Sequence, residues 1–316
     1  MAQLEGIETD LWPSEVAVMD VAPRDGLQNE PHIMPTAEKI HLIETLAEAG
    51  VTRIQATSFV SAKAVPQLAD AAEVATGIKR LPGVRYFALV PNEKGYDRAV
   101  ASGVEDITLV LSATETMNRN NINMSIAKSM GLAKRLFRRA KDDGLNVRAD
   151  VAVAFVCAFE GTVDRQTVVD QVDELFALGA DQVCLADTTG RADPRHVAKL
   201  FALVRKKHGS ERLAGHFHDT LGMGLANTVA AMQQGIAFFD TAIGGLGGCP
   251  FTPGATGNVS TEDVVSMLNQ MGVTTTIDLD RLCEATDLVG ELSGSKLPSA
   301  YYRSVRSGNK RSIGGG

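Results

Sequence analysis

Val16-Ala17-Val18-Met19-Asp20-Val21, followed by Ala22-Pro23-Arg24-Asp25-Gly26, decides between two α/β folds. The first six residues read as a strand, dominated by branched and apolar side chains. A doubly wound nucleotide-binding sheet would follow that strand with a G-x-G-x-x-G phosphate turn. Pro23-Arg24-Asp25-Gly26 is not such a turn. Outward from it, seven more short apolar runs appear: Arg53–Thr57, Val84–Val90, Asp106–Leu111, Val147–Phe155, Gln182–Ala186, Leu213–His218 and Phe238–Ile243. Helical patterns lie between them, among them Thr36–Ala49, Ser125–Asp143, Asp164–Leu178 and Pro194–His208. Asp193 before Pro194 sets a capping side chain ahead of a proline at the first helical position, and Gly50 ends the helix begun at Thr36. Eight strand–helix units predict a single α/β domain, a (β/α)8 TIM barrel, over residues 1–300. A short helical C-terminal extension follows Leu279, and residues 301–316, rich in Gly, Ser and Arg, are expected as a disordered tail.

Composition narrows the function. The 316 residues are 44% hydrophobic and 22% charged, enough apolar surface for one large core. Lys and Arg number 31 against 38 Asp and Glu, a net charge of −7, and aromatics make up only 5%. Nucleic acid as a partner is excluded, since wrapping phosphates needs the opposite sign and stacking needs aromatic faces. A membrane-spanning helix is excluded too, because no apolar run reaches the needed length, and no membrane partner is expected. Cys157, Cys184, Cys249 and Cys283 are too far apart for a zinc knuckle or a disulfide framework. The acidic first residues resemble neither a secretory signal nor a transit peptide, so a reducing cytoplasmic setting is expected.

Barrel enzymes carry their chemistry at the carboxyl ends of the strands. Strand by strand, those ends hold Arg24 and Asp25, then Gln55, Thr57 and Ser58, then Asn120, Asn121 and Asn123. Cys157, Asp187 with Thr188, and His216-Phe217-His218-Asp219 follow, and last a loop from Gly244 to Asn258. The sharpest pattern is His216-x-His218, because residues two apart on a strand project to the same face. Two imidazoles plus a carboxylate make a three-ligand set with open positions for substrate oxygens. Asp25 is the carboxylate at hand, one strand removed, and Asn258 can add a carbonyl oxygen. An isolated H-x-H is as often a hydrogen-bonded pair of no catalytic use. Its company of Asp25 and Asp187 on one rim favours the metal reading.

Gly244-Gly245-Leu246-Gly247-Gly248-Cys249-Pro250 reads as a loop that moves or fits closely against ligand. Most such loops are plain connections, but a thiol held there can exchange a proton with bound substrate. The basic run Lys134, Arg135, Arg138, Arg139 and Lys141 reads as a solvated helix face.

These residues also carry a resemblance. Val21-Ala22-Pro23-Arg24-Asp25-Gly26-Leu27-Gln28-Asn29-Glu30, Thr57-Ser58-Phe59-Val60-Ser61, Asn121-Ile122-Asn123 and His216-Phe217-His218-Asp219-Thr220 resemble the motifs of hydroxymethylglutaryl-CoA lyases. Gly244–Phe251 and Gly257-Asn258 resemble that family's signature loop, and the likeness runs from about Val16 to Leu282 in one register. It implies a metal-dependent lyase that cleaves 3-hydroxy-3-methylglutaryl-CoA to acetyl-CoA and acetoacetate with Mg²⁺ or Mn²⁺. It also implies a homodimer and a place in leucine degradation. Asp25, His216, His218 and Asn258 would then hold the ion, Arg24 would face the thioester oxygen, and Cys249 would reprotonate the departing carbanion. Gln55 stands among the catalytic candidates. Ser58, Asn121, Asp187 and Thr188, with Arg24, are the substrate-binding candidates.

The chain departs from the pattern in three places. Ile54-Gln55-Ala56-Thr57-Ser58-Phe59 has Gln where the family usually has Glu, Pro31 replaces a common Lys, and Ala158-Phe159 follows Cys157 in place of Pro-Tyr. A glutamine cannot take up a proton at neutral pH. A related substrate therefore competes: citramalyl-CoA, cleaved to acetyl-CoA and pyruvate. Claisen-type synthases share the Arg-Asp start and the H-x-H, but carry a long C-terminal region and lack the Gly-Gly-Cys-Pro loop. A decayed, binding-only site is disfavoured by the survival of Arg24, Asp25, both histidines and Cys249.

Overall fold

The computed structural model describes residues 12–248, 257–293 and 297–307. Eight parallel strands close into a barrel in the order β1-β10-β9-β8-β5-β4-β3-β2. They are β1 Ala17–Asp20, β2 Arg53–Ser58, β3 Arg85–Leu89, β4 Asp106–Ser112, β5 Asn146–Ala152, β8 Gln182–Asp187, β9 Leu213–Phe217 and β10 Phe238–Thr241. Two short strands, β6 Val156–Cys157 and β7 Gly161–Thr162, form an antiparallel hairpin above the end of β5. Each of the eight expected runs becomes a barrel strand. The barrel closes where β1 pairs β10, with Ala17 opposite Phe238 and Asp20 opposite Thr241.

Strand ends differ from the sequence reading where backbone geometry intervenes. The run Val147–Phe155 stops at Ala152 because Val153 adopts φ 50°, a left-handed conformation rare for a β-branched residue. The run ending at His218 stops at Phe217, and His218 instead bridges Asn258 in antiparallel fashion.

Helices pack around the barrel. Side-chain oxygens of Ser125, Asp164 and Asp193 accept backbone N–H bonds at three helix starts, as polar caps do. Side chains facing the helices are apolar and buried, such as Ile54, Leu109, Val151, Leu185 and Phe217, and Phe217 stacks between Phe155 and Phe239. The interior is partly charged. Arg148 and Asp150 of β5 alternate onto one face, and Arg148 pairs with both Asp150 and Asp240 of β10. One expectation is corrected over residues 301–306, which are not a disordered tail, while 308–316 lie outside the described residues. Residues Ala300–Arg306 form a helix, with Ser299 capping its start. The Asp263 carboxylate accepts from Ser299 Oγ, Ala300 N and Tyr301 N, which docks this helix on the barrel.

Candidate active site

The site begins where β1 ends. Asp20 is fully buried and its carboxylate accepts from Ala22 N at 2.8 Å. Residues Ala22–Gly26 then turn as a single wide π-helical turn, with the Val21 carbonyl accepting from Arg24 N, Asp25 N and Gly26 N. Such turns are rare and concentrate at functional sites. Arg24 Nη1 donates to Asp25 Oδ1 at 2.6 Å, and Arg24 Nε donates to Gln55 Oε1. Gln55 Nε2 in turn reaches Thr108 Oγ1 at 3.3 Å.

Asp25, His216 and His218 each offer a ligand atom, and these atoms lie within 4.8 Å of one another. The two imidazole rings are 5.2 Å apart, as same-face neighbours on a strand end should be. Asn258 joins them through the bridge to His218, and its Nδ2 donates to Asp25 Oδ2 at 2.8 Å and to the Leu246 carbonyl at 2.9 Å. Gly247 lies against this pair: a Cβ there would stand 2.6 Å from Asn258 Nδ2, and its φ is 116°. The glycine-rich loop therefore fits closely against the site at this point.

Electrostatics separates the three side chains. Burial works to raise the Asp25 carboxyl, yet Arg24, both histidines and the Asn258 hydrogen bond together hold it below its ordinary range. Burial pushes His218 down to about 4, helped by the charge of His216, so its ring is neutral near pH 7. Burial also works to lower His216, but Asp240, 3.1 Å from Nδ1, outweighs it and the group is raised.

The donor set suits a divalent cation. It combines one carboxylate and an amide carbonyl with two imidazoles. Among the described residues, Asn258 Oδ1 and His218 Nδ1 are buried with no hydrogen-bond partner, a costly state that a bound cation at the former would relieve.

The structure thus brings together Arg24, Asp25, Gln55, His216, His218 and Asn258. Ser58 is buried at the end of β2. Asp187 is occupied within its own loop: Oδ1 accepts from Arg191 N and Thr189 Oγ1, Oδ2 from Ala192 N, and burial lifts its carboxyl to about 6. Thr188 Oγ1 accepts from Val153 N at 3.0 Å, so it supports the strained residue after β5. Asn121 is exposed near the end of the helix Glu115–Ile122 and makes no hydrogen bond to the cluster. Cys249 lies outside the described residues. Sequence reasoning missed Asp20, Arg148, Asp150 and Asp240. The available signal was a charged residue within an otherwise apolar barrel strand.

Residues 15–289 match the family model described as HMGL-like. The chain belongs to the HMGL-like family. It is a carbon–carbon lyase by that membership. The hydroxymethylglutaryl-CoA lyase of Bacillus subtilis is 42% identical over 296 residues, covering 94% of this chain and 99% of the relative. The cytoplasmic 3-hydroxy-3-methylglutaryl-CoA lyase of Rattus norvegicus is 42% identical over 306 residues, covering 96% and 88%. The structure of an HMG-CoA lyase from Acinetobacter baumannii, in complex with coenzyme A and 3-methylmalate, superposes with a TM-score of 0.90. Its sequence is 41% identical, and the match covers 96% of this chain and 98% of that one. The HMGL-like barrel therefore extends over nearly the whole described chain. Among the described residues, no helix is long and apolar enough to cross a membrane.

Proposed function

We propose that this chain cleaves 3-hydroxy-3-methylglutaryl-CoA to acetyl-CoA and acetoacetate with Mg²⁺ or Mn²⁺. The observation that carries the reading is one buried cluster of Arg24, Asp25, His216, His218 and Asn258 on an HMGL-like barrel. Asp25, His216, His218 and Asn258 would hold the cation. When bound, it supplies Lewis acidity that lowers the pKa of a substrate hydroxyl. Arg24 has its Nε and Nη1 engaged by Gln55 and Asp25, which leaves Nη2 free, among the described residues, for a thioester oxygen. A fixed guanidinium there favours the negative charge that develops as the carbon–carbon bond breaks. The Gln55 amide positions Arg24 but cannot take the hydroxyl proton. Cys249 is assigned the proton that returns to the departing carbanion, on the strength of the sequence motif. Ser58, Asn121, Asp187 and Thr188 are assigned to the rim around the substrate.

The reading also assigns the enzyme to the cytoplasm as a homodimer, like the rat relative in location, although a mitochondrial form occurs in Bos taurus. Gln55 favours a second substrate, citramalyl-CoA, cleaved to acetyl-CoA and pyruvate. The test is a panel of short 3-hydroxyacyl-CoA thioesters with Mn²⁺, products read by mass. Acetyl-CoA and acetoacetate from the hydroxymethylglutaryl ester are expected, abolished by EDTA and restored by Mn²⁺. Pyruvate from citramalyl-CoA alone would transfer the assignment, and full activity in EDTA would remove the cation.

A further inference from the structure

His216 and His218 are alternate residues of one strand end, yet their supports differ. Among the described residues, His218 Nδ1 is buried with no hydrogen-bond partner, whereas His216 Nδ1 lies 3.1 Å from Asp240 Oδ2. Asp240 stands opposite His216 in the β10–β9 register. Its carboxylate is held from the other side of the barrel interior. Arg148 of β5 reaches past β8 and β9 to donate from Nη1 to Asp240 Oδ1 at 2.9 Å and from Nη2 to Oδ2 at 2.5 Å. Arg148 Nε donates to Asp150 at 2.6 Å, so the guanidinium is fixed at both ends. A two-pronged pair of this kind sets the plane of the carboxylate as well as its place.

We propose that Asp240, clamped by Arg148, is a positioning residue that makes His216 the oriented anchor of the cation site. The inference rests on the cation reading above. A carboxylate only accepts, so Nδ1 of His216 must carry the hydrogen. In the neutral ring the lone pair then sits on Nε2, the nitrogen left to face the cation beside Asp25. Among the described residues His218 Nδ1 has no such partner, so no carboxylate orients its ring. Loss of the carboxylate behind a ligating histidine typically costs about 10–100-fold in metal affinity.

The test titrates the full-length protein with Mn²⁺ alone, free ion read by electron paramagnetic resonance. Asp240→Asn is expected to weaken Mn²⁺ by at least tenfold. In a His216→Gln background the same change should have no further effect, because its route runs through that ring. Since Asp240→Asn leaves buried Arg148 with one carboxylate fewer, the pair R148Q/D240N, which keeps the net charge of the network, is measured alongside. Wild-type protein labelled with ¹⁵N-histidine should show His216 as the Nδ1–H tautomer, a readout that needs no variant. Unchanged affinity in Asp240→Asn, an equal loss in the His216→Gln background, or the Nε2–H tautomer would overturn the proposal. No Mn²⁺ binding by the wild type would instead overturn the cation reading itself.

Discussion

Gln55 holds Arg24 by an amide oxygen, and Arg24 reaches Asp25 with its other arm. A carboxylate at position 55 would meet the same guanidinium as an ion pair and add a negative charge beside Asp25. It would also present a proton acceptor that the amide lacks. Gln55→Glu is therefore expected to shift the ratio of kcat/KM for hydroxymethylglutaryl-CoA over citramalyl-CoA upward by about tenfold, or about 1.4 kcal/mol in the transition state. A ratio that does not move would take this residue out of substrate choice. At this scale the cluster of Asp25, His216 and His218 was legible in advance. His216-x-His218 follows from strand alternation, and Arg24 and Asp25 from their place after a strand. Arg148 and Asp240 were not, because a charged residue in a strand looks the same whether it faces solvent or a buried partner across the barrel.

Two connecting elements shape the site. The turn Ala22–Gly26 is π-helical, with Gly26 N reaching back to the Val21 carbonyl, and Asp20 takes Ala22 N at its start. The loop after β10 closes on it through Gly247, whose backbone is left-handed and whose missing side chain makes room for Asn258. Gly247→Ala is expected to cost about 1–3 kcal/mol in urea unfolding, the range for forcing such a backbone on a residue with a Cβ. It should also weaken Mn²⁺, since Asn258 must move away from Asp25. Full Mn²⁺ affinity in that variant would show that Asn258 is not a ligand. The strands were legible as apolar runs of the right length. Their ends were not, because Val153 turns the chain by its own φ and His218 leaves the sheet to pair with Asn258, 40 residues on in sequence.

Across the whole molecule, a buried acid links segments where the barrel closes. Asp20 Oδ1 accepts from Ala22 N, and Oδ2 accepts from Ile243 N at 3.0 Å and Thr261 Oγ1 at 2.7 Å. One side chain thus ties the first strand, the loop after the last, and the helix Thr261–Gln270. Burial lifts its carboxyl to about 7, against the hydrogen bonds that favour the charged form, with nearby Glu262 adding to the rise. The folded chain keeps a proton that the unfolded chain releases above about pH 4. Stability from this group is therefore full below that pH and is lost as pH rises to about 7, by at most about 4 kcal/mol. Asp20→Asn cannot titrate there. The stability gap between wild type and Asp20→Asn should be wider at pH 5 than at pH 8 in paired urea titrations. A gap that stays constant would mean that Asp20 is ionised in the folded protein throughout.

Apolar periodicity and turn chemistry are local properties, and from them alone the chain determined its eight strands, its barrel and the rim that bears Arg24, Asp25, Gln55 and the two histidines. What the tertiary structure decided is which buried charges meet. Arg148, Asp240 and His216 come from three strands, and Asp20, Ile243 and Thr261 from opposite ends of the chain. Desolvation makes each of these groups costly until its partner arrives. That pairing is settled only when the barrel closes.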